Sequence, residues 1–318
     1  MDYKYPKGGT GALIGRLWDY ILEHGGIILT KTSIDGVDPG QRMVYDRQGN
    51  SYTYGDLVWA ADSKALYAAL RSTDALPERV AQKIKKRTAL LAGKEGGDSV
   101  LTLYITAGID VSYFQSMHGP HFFYTPQKTG LSTLPLNNLR RADGSYTADE
   151  RAVMDWVKSF LQLTTYEISI PAMRDARLAP AGNTGLIIST LMDHALVRHI
   201  ADQGWYESFK SLCRDTMIET LKGSVYPVLE GLVRSAFVST PLTLEKRTGN
   251  TGGAITGWAF TNDEMPAVSS MPKIAKSIET PIPHVLQAGQ WTYSPSGFPI
   301  SILTGKIAAD AVLSGRKR

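Results

Sequence analysis

The sequence predicts an α/β protein interrupted by an α+β domain. Three observations carry this. The chain opens with a helix, a Gly-Gly stop and a short apolar stretch. It closes with a strand, a glycine-bearing loop and a helix. Between about residues 95 and 245, strand and helix patterns mix without an internal repeat, the arrangement of an α+β domain.

In the opening segment, Leu13, Leu17, Tyr20 and Ile21 recur at helical spacing, with Ile14 and Trp18 beside them. This predicts a helix with one buried face. Gly25 and Gly26 follow, where glycine accepts the left-handed conformation that ends a helix. Ile27 to Leu29 then predict a short buried strand. Residues 42–46 and 51–54 flank the turn Gln48-Gly49-Asn50 and predict a hairpin. The near-continuous apolar run from Leu57 to Ala61, ending at Asp62, predicts a strand of a buried parallel sheet.

Residues 63–92 have a helical pattern broken at Pro77. Strands are predicted at 100–106, 164–170 and 185–191, and a helix at 205–222. Thr147 and Glu150 have capping-box spacing ahead of a helix whose face carries Val153, Trp156, Val157 and Phe160. Near the end, Val285 to Ala288 predict a strand and Gly289 to Gly297 a loop. Pro299 stands in the first turn of a helix bearing Ile300, Leu303, Ile307, Ala308 and Ala311. A strand, a glycine loop and a helix N-terminus together form an anion-binding geometry.

Composition narrows the function. The 318 residues suffice for two domains. A net charge of +4 argues against nucleic acid as a partner. The basic cluster Lys83, Lys85, Lys86 and Arg87 reads as a solvated helix face, and Arg316 to Arg318 as a frayed tail. One cysteine, Cys213, allows no intrachain disulfide and no multi-cysteine zinc site. It fits a reducing compartment. The first fifteen residues show no signal-peptide core, and no apolar run has the length of a membrane span. The expectation is a cytoplasmic protein, with contact to a membrane surface left open.

Several segments together resemble the phytoene desaturase, carotenoid isomerase and retinol saturase family of FAD-dependent oxidoreductases. Tyr5-Pro6-Lys7-Gly8-Gly9 before a helix, followed by Gly25-Gly26, is similar to the family's Pro-x-Gly-Gly segment. Val58-Trp59-Ala60-Ala61-Asp62 resembles the strand that returns to its flavin domain. Ala288-Gly289-Gln290-Trp291-Thr292 through Pro295-Ser296-Gly297-Phe298-Pro299 to Thr304-Gly305-Lys306 is the most specific match, to the C-terminal flavin motif. Thr240 to Thr243, Gly249-Asn250 and Gly252-Gly253-Ala254 also fit. Two departures stand out. Pro295-Ser296-Gly297 replaces a more glycine-rich stretch, and the Gly-x-Gly-x-x-Gly fingerprint is lacking, since Gly8, Gly9, Gly11 and Gly15 do not have its spacing.

The resemblance implies an FAD/NAD(P)-binding, glutathione-reductase-like fold lacking its first βαβ segment, in a chain that is truncated or complemented by another polypeptide. It assigns residues 1–65 and 247–318 to the flavin domain and 66–246 to a substrate-binding domain. FAD is the implied cofactor. Gly289, Gln290 and Trp291 would pass near its ribityl and pyrophosphate part, and Ser296, Gly297, Phe298 and Pro299 would face the isoalloxazine edge. Ile34 would lie against the adenine, or else pack with Val37 at a strand end. Asp62 would sit near the cofactor, or else end its strand at a turn.

The expected substrate is a small apolar molecule, a polyene or lipid, that is desaturated, saturated or isomerised; amine oxidation is a lesser option. Phe122, Phe123 and Tyr124 would line an apolar tunnel or pack in a core. Glu167, Arg174 and Asp175 read as salt-bridge partners before catalytic groups. His118 and His121 lie in a loop and do not form a metal site, and His284 is the histidine nearest the flavin loop. The catalytic residues stay unassigned. Two other readings stand beside this one: a non-catalytic subunit that needs a partner chain or a homo-oligomer, and a flavin-free protein that binds apolar ligands.

Overall fold

The computed structural model describes residues 4–315, so Arg316 to Arg318 lie outside the described residues. In chain order the first half contains α1 (Gly11–Glu23), β1 (Ile34–Asp38), β2 (Met43–Asp46), β3 (Ser51–Thr53), β4 (Leu57–Trp59), α2 (Ser63–Ala68), α3 (Glu78–Ala92), β5 (Val100–Ala107), α4 (Val111–Gln115) and β6 (His121–Tyr124). The second half contains α5 (Glu150–Leu163), β7 (Tyr166–Ser169), β8 (Thr184–Leu191), α6 (His194–Asp202), α7 (Tyr206–Lys222), β9 (Val233–Ser239), α8 (Pro241–Thr248), β10 (Val285–Gln287) and α9 (Phe298–Leu313). The chain divides into two compact units. One joins the stretch up to Ile28 with Val100–Leu242. The other joins Leu29–Ser99 with the stretch from Thr243 onward. These limits differ from the expected 65/66 and 246/247. The reason is packing: Ile84 and Leu91 of α3 share a core with Val37, Trp258 and Trp291.

The first unit is built on an antiparallel sheet of order β6-β7-β8-β5-β9. Alternation along β5 sends Leu101, Leu103 and Ile105 to one face. There they join Val157 of α5 and Cys213 of α7 in a core. On the opposite face Tyr104 stacks on Phe237 with centroids 4.8 Å apart. The α5 face is as expected, with Val153, Trp156, Val157 and Phe160 buried. Its cap is not. Asp149 accepts the Ala152 amide, while Thr147 Oγ1 accepts the amide of Asp149. A carboxylate directly before the helix wins over a hydroxyl two residues earlier.

Two expectations about the opening segment are corrected. The helix forms, but none of its residues is buried, and Leu13, Ile14, Leu17, Trp18 and Ile21 are all exposed. Periodicity dictates a stripe, whereas burial needs a partner surface. Ile27 to Leu29 form no strand, and the strand lies later, at β1. An extended segment becomes a strand only where a neighbour takes its backbone hydrogen bonds, and β2 pairs from Ile34 onward.

The second unit contains the antiparallel sheet β1-β2-β3 and the parallel pair β10-β4. The hairpin and the parallel strand lie where the sequence predicts them. Asp46 closes the hairpin turn by accepting the amides of Gln48 and Asn50 at 2.9 Å each. α9 covers β10 through Ala308 and Ala311, which join Leu286 and Ala288 in a small core.

Candidate functional site

β10 is fully buried and hands the chain to a loop that α9 terminates. From Ala288 to Thr304 the sequence contains no carboxylate, histidine, lysine, arginine or cysteine. Such a segment suits positioning a ligand, and buried Tyr293 is its one side chain of a type that serves as a general acid or base.

The loop is held from several sides. The Ala288 amide donates to Trp59 O at 2.9 Å. Gly289, at φ +90°, donates its amide to Thr304 Oγ1 at 3.0 Å. Gln290 Nε2 donates to Ala254 O at 3.3 Å. Its carbonyl faces Gly257 so closely that a Cβ there would lie 2.3 Å from the Gln290 oxygen. Only glycine permits that approach, and Gly257 has φ +82° as well.

Trp291 is fully buried. Its indole donates to Asn250 Oδ1 at 3.1 Å, its carbonyl accepts from Trp258 Nε1 at 2.9 Å, and the two rings meet edge-on at 4.8 Å. Trp291 therefore anchors the loop in the core of this unit. Asp62 is buried too, and its carboxylate is occupied by backbone donors. Oδ1 accepts from Lys64 and Ala65 at 2.6 and 3.2 Å, and Oδ2 from Thr251 at 2.7 Å. It caps α2 and ties the end of β4 to the Asn250 segment that holds Trp291. Ile34 packs on the same core as Trp291.

Ser296, Gly297, Phe298 and Pro299 run together into the start of α9. Gly297 is the N-cap residue and offers no side chain, so no side chain caps this helix. The amides of Phe298 and Ile300 stand in the first turn, where no intrahelical acceptor exists. Ser296 Oγ is buried and has no hydrogen-bond partner. Phe298 is exposed. An uncapped helix N-terminus beside an unsatisfied hydroxyl suits a group rich in acceptors. The donors thus fit an electron-rich ring edge.

Sequence reasoning found the loop but missed its supports. Gly257 carried no recognisable signal, since its need for glycine comes from the Gln290 carbonyl, in a loop far away in sequence. Elsewhere, Glu167 pairs with His121 at 2.7 Å, and Asp175 with Arg177 at 2.7 Å. Arg174 lies over the Tyr5 ring. His118 Nε2 and the Tyr226 hydroxyl share a hydrogen bond of 2.8 Å. Arg42 Nη2 lies 2.9 Å from His284 Nε2. Phe122 and Tyr124 pack on the core of the first unit, and Phe123 is exposed. No cluster suited to a metal occurs among the described residues. No helix among them is long and apolar enough to cross a membrane.

No protein-family model matches the sequence. A 1-hydroxycarotenoid 3,4-desaturase of Flavobacterium sp. (strain P99-3) is 26% identical over 192 residues, 60% of this chain and 36% of the relative. A phytoene desaturase of Fusarium fujikuroi is 23% identical over 164 residues, 47% of this chain and 28% of the relative. The chain thus spans about a third of the length of the curated relatives it matches. Among solved structures, reduced UDP-galactopyranose mutase superposes with a TM-score of 0.57 at 14% identity, covering 98% of this chain and 52% of that one. These comparisons show a fold shared with the mutase and a distant sequence likeness to carotenoid desaturases.

Proposed function

We propose that the β10–α9 loop holds the isoalloxazine edge of FAD in an oxidoreductase that acts on an apolar polyene or lipid-like substrate. The observation that carries this reading is the Ser296 hydroxyl, buried without a partner beside the uncapped start of α9. A buried polar group left unpaired costs about 1–3 kcal/mol, so a ligand that supplies its partner recovers stability. The flavin, when bound, supplies the electron-accepting and electron-donating chemistry. The residues supply placement. Ser296 and the first-turn amides of α9 meet the acceptor edge, and Gly297 lets the ring approach the backbone. The Trp291–Asn250 and Gly289–Thr304 bonds keep the loop from collapsing into that space. Similarity to two carotenoid desaturases supports a long conjugated substrate. The exposed aromatic side chains of Phe123 and Phe237 on the first unit's sheet suit such a molecule.

The test is a fluorescence titration of FAD with the purified chain. Saturable quenching is expected, weakened by Gly297→Val with the fold unchanged by circular dichroism. Equal quenching by Gly297→Val would remove the loop from the binding site.

A further inference from the structure

The five-stranded sheet of the first unit has an open face that is polar at one edge and aromatic at the other. Cross-strand pairing sets one row across it. His121 of β6 stands opposite Ser169 of β7, Ser169 opposite Ile187 of β8, Ile187 opposite Tyr104 of β5, and Tyr104 opposite Phe237 of β9. Directly paired residues share a face, and this face is the one turned away from the core of Leu101, Leu103 and Ile105. Strands stand about 4.8 Å apart, so the row runs about 19 Å from edge to edge. At its β9 end Phe237 is 62% exposed and stacked on Tyr104.

At the β6 end the polar atoms are half used. His121 Nε2 lies 2.7 Å from Glu167 Oε1, and the two side chains are open to solvent at 36% and 52%. An ionised carboxylate only accepts, so Nε2 carries the hydrogen. That leaves His121 Nδ1 and Glu167 Oε2, which have no hydrogen-bond partner among the described residues. Oε2 accepts. Nδ1 accepts when the imidazole is neutral and donates when it is charged. A hydroxyl group, both donor and acceptor, can meet either atom in either state. An ammonium cannot meet a protonated Nδ1, and an ionised carboxylate cannot meet Oε2.

We propose that this row binds an elongated apolar molecule with a hydroxyl group at one end, the hydroxyl held by the His121–Glu167 pair and the apolar body laid across Ile187, Tyr104 and Phe237. The inference rests on the reading of the substrate as an apolar polyene or lipid, and it adds the end group that orients that substrate. Burial of the aromatic end supplies affinity without direction. The polar pair supplies direction: a molecule without the hydroxyl, or one laid down the other way, covers Nδ1 and Oε2 without pairing them. His121 and Glu167 are thus specificity residues that fix which end of the molecule lies at β6.

The test is a fluorescence binding series on the full chain with three rods of one shape: diphenylhexatriene, its para-hydroxymethyl derivative and its para-carboxylate. The hydroxymethyl probe should bind about tenfold more tightly than the parent, the worth of one hydrogen bond to a charged group. The carboxylate should bind more weakly than the parent. Phe237→Ser should weaken all three alike. His121→Phe combined with Glu167→Leu keeps the bulk and removes the polar atoms, and it should bring the hydroxymethyl and parent probes to equal affinity. Retained binding of the parent probe shows that this double variant is folded. Three results would overturn the proposal: equal binding of the hydroxymethyl and parent probes by the unaltered chain, a hydroxyl preference that survives in the double variant, or binding that Phe237→Ser leaves unchanged. Equal binding would remove the hydroxyl site and leave the apolar-substrate reading standing, whereas a chain that binds none of the three probes would contradict both.

Discussion

Thr304 Oγ1 accepts the Gly289 amide at 3.0 Å, joining the residue that leaves β10 to the second turn of α9. Thr304 is fully buried. Thr304→Val keeps the shape and removes the acceptor. The expected cost is about 1–3 kcal/mol, the penalty for an unsatisfied amide. A urea denaturation series measures it, and FAD quenching should weaken in parallel because the loop loses its tether.

Gly257 and Gln290 make a second tether by contact rather than by hydrogen bond. Gly257→Ala would set a methyl group against the Gln290 carbonyl and force an L-residue to φ +82°. A loss on the order of 2 kcal/mol or more is expected. Gly305 lies within α9 with open space around its Cβ position. Gly305→Ala should stabilise by about 0.5–1 kcal/mol. Opposite shifts in the urea midpoint from two Gly→Ala changes would check both assignments.

Acid should loosen the link between Asp175 and the opening segment. Hydrogen bonds from the Arg177 side chain, and then from the Gly8 amide, hold the Asp175 carboxyl below the usual carboxylate range. A depressed folded pKa stabilises the fold above the unfolded pKa of about 3.9, and that contribution is lost as pH falls through the folded value. Asp175→Asn should therefore lower the melting temperature near neutral pH. The difference should shrink only well below pH ~4. Melting curves across that range would show it.

Cys213 is fully buried, and burial pushes its thiol up. A thiol-specific reagent should leave the native chain unmodified and label it once in denaturant, since only the thiolate reacts. Labelling of the native protein at neutral pH would show that the α5–α7 core opens.

How much of this was legible follows from the range of the forces involved. The β4 strand was readable as a continuous apolar run and β10 as a short apolar strand before a glycine loop, although only β10 is buried along its whole length. The α5 face was readable because its period is local. β1 was not, since Asp35 and Gly36 interrupt its apolar pattern while Ile27 to Leu29 imitate a strand. β9 was missed because Arg234 and Ser235 on its exposed side mask the alternation. In the site, the loop from Gly289 to Pro299 was visible as a glycine-bearing approach to a helix. The inward turn of Trp291 was not, because it depends on Asn250 and Trp258, both distant in sequence.

The visible absorbance spectrum of the chain, taken after incubation with FAD and removal of free cofactor by gel filtration, tests flavin binding most directly. Flavin bands that co-elute with the folded protein, and diminish in Gly297→Val, are the expected result. A folded chain that elutes without flavin absorbance would contradict the assignment of the β10–α9 loop as a flavin site that this chain holds by itself.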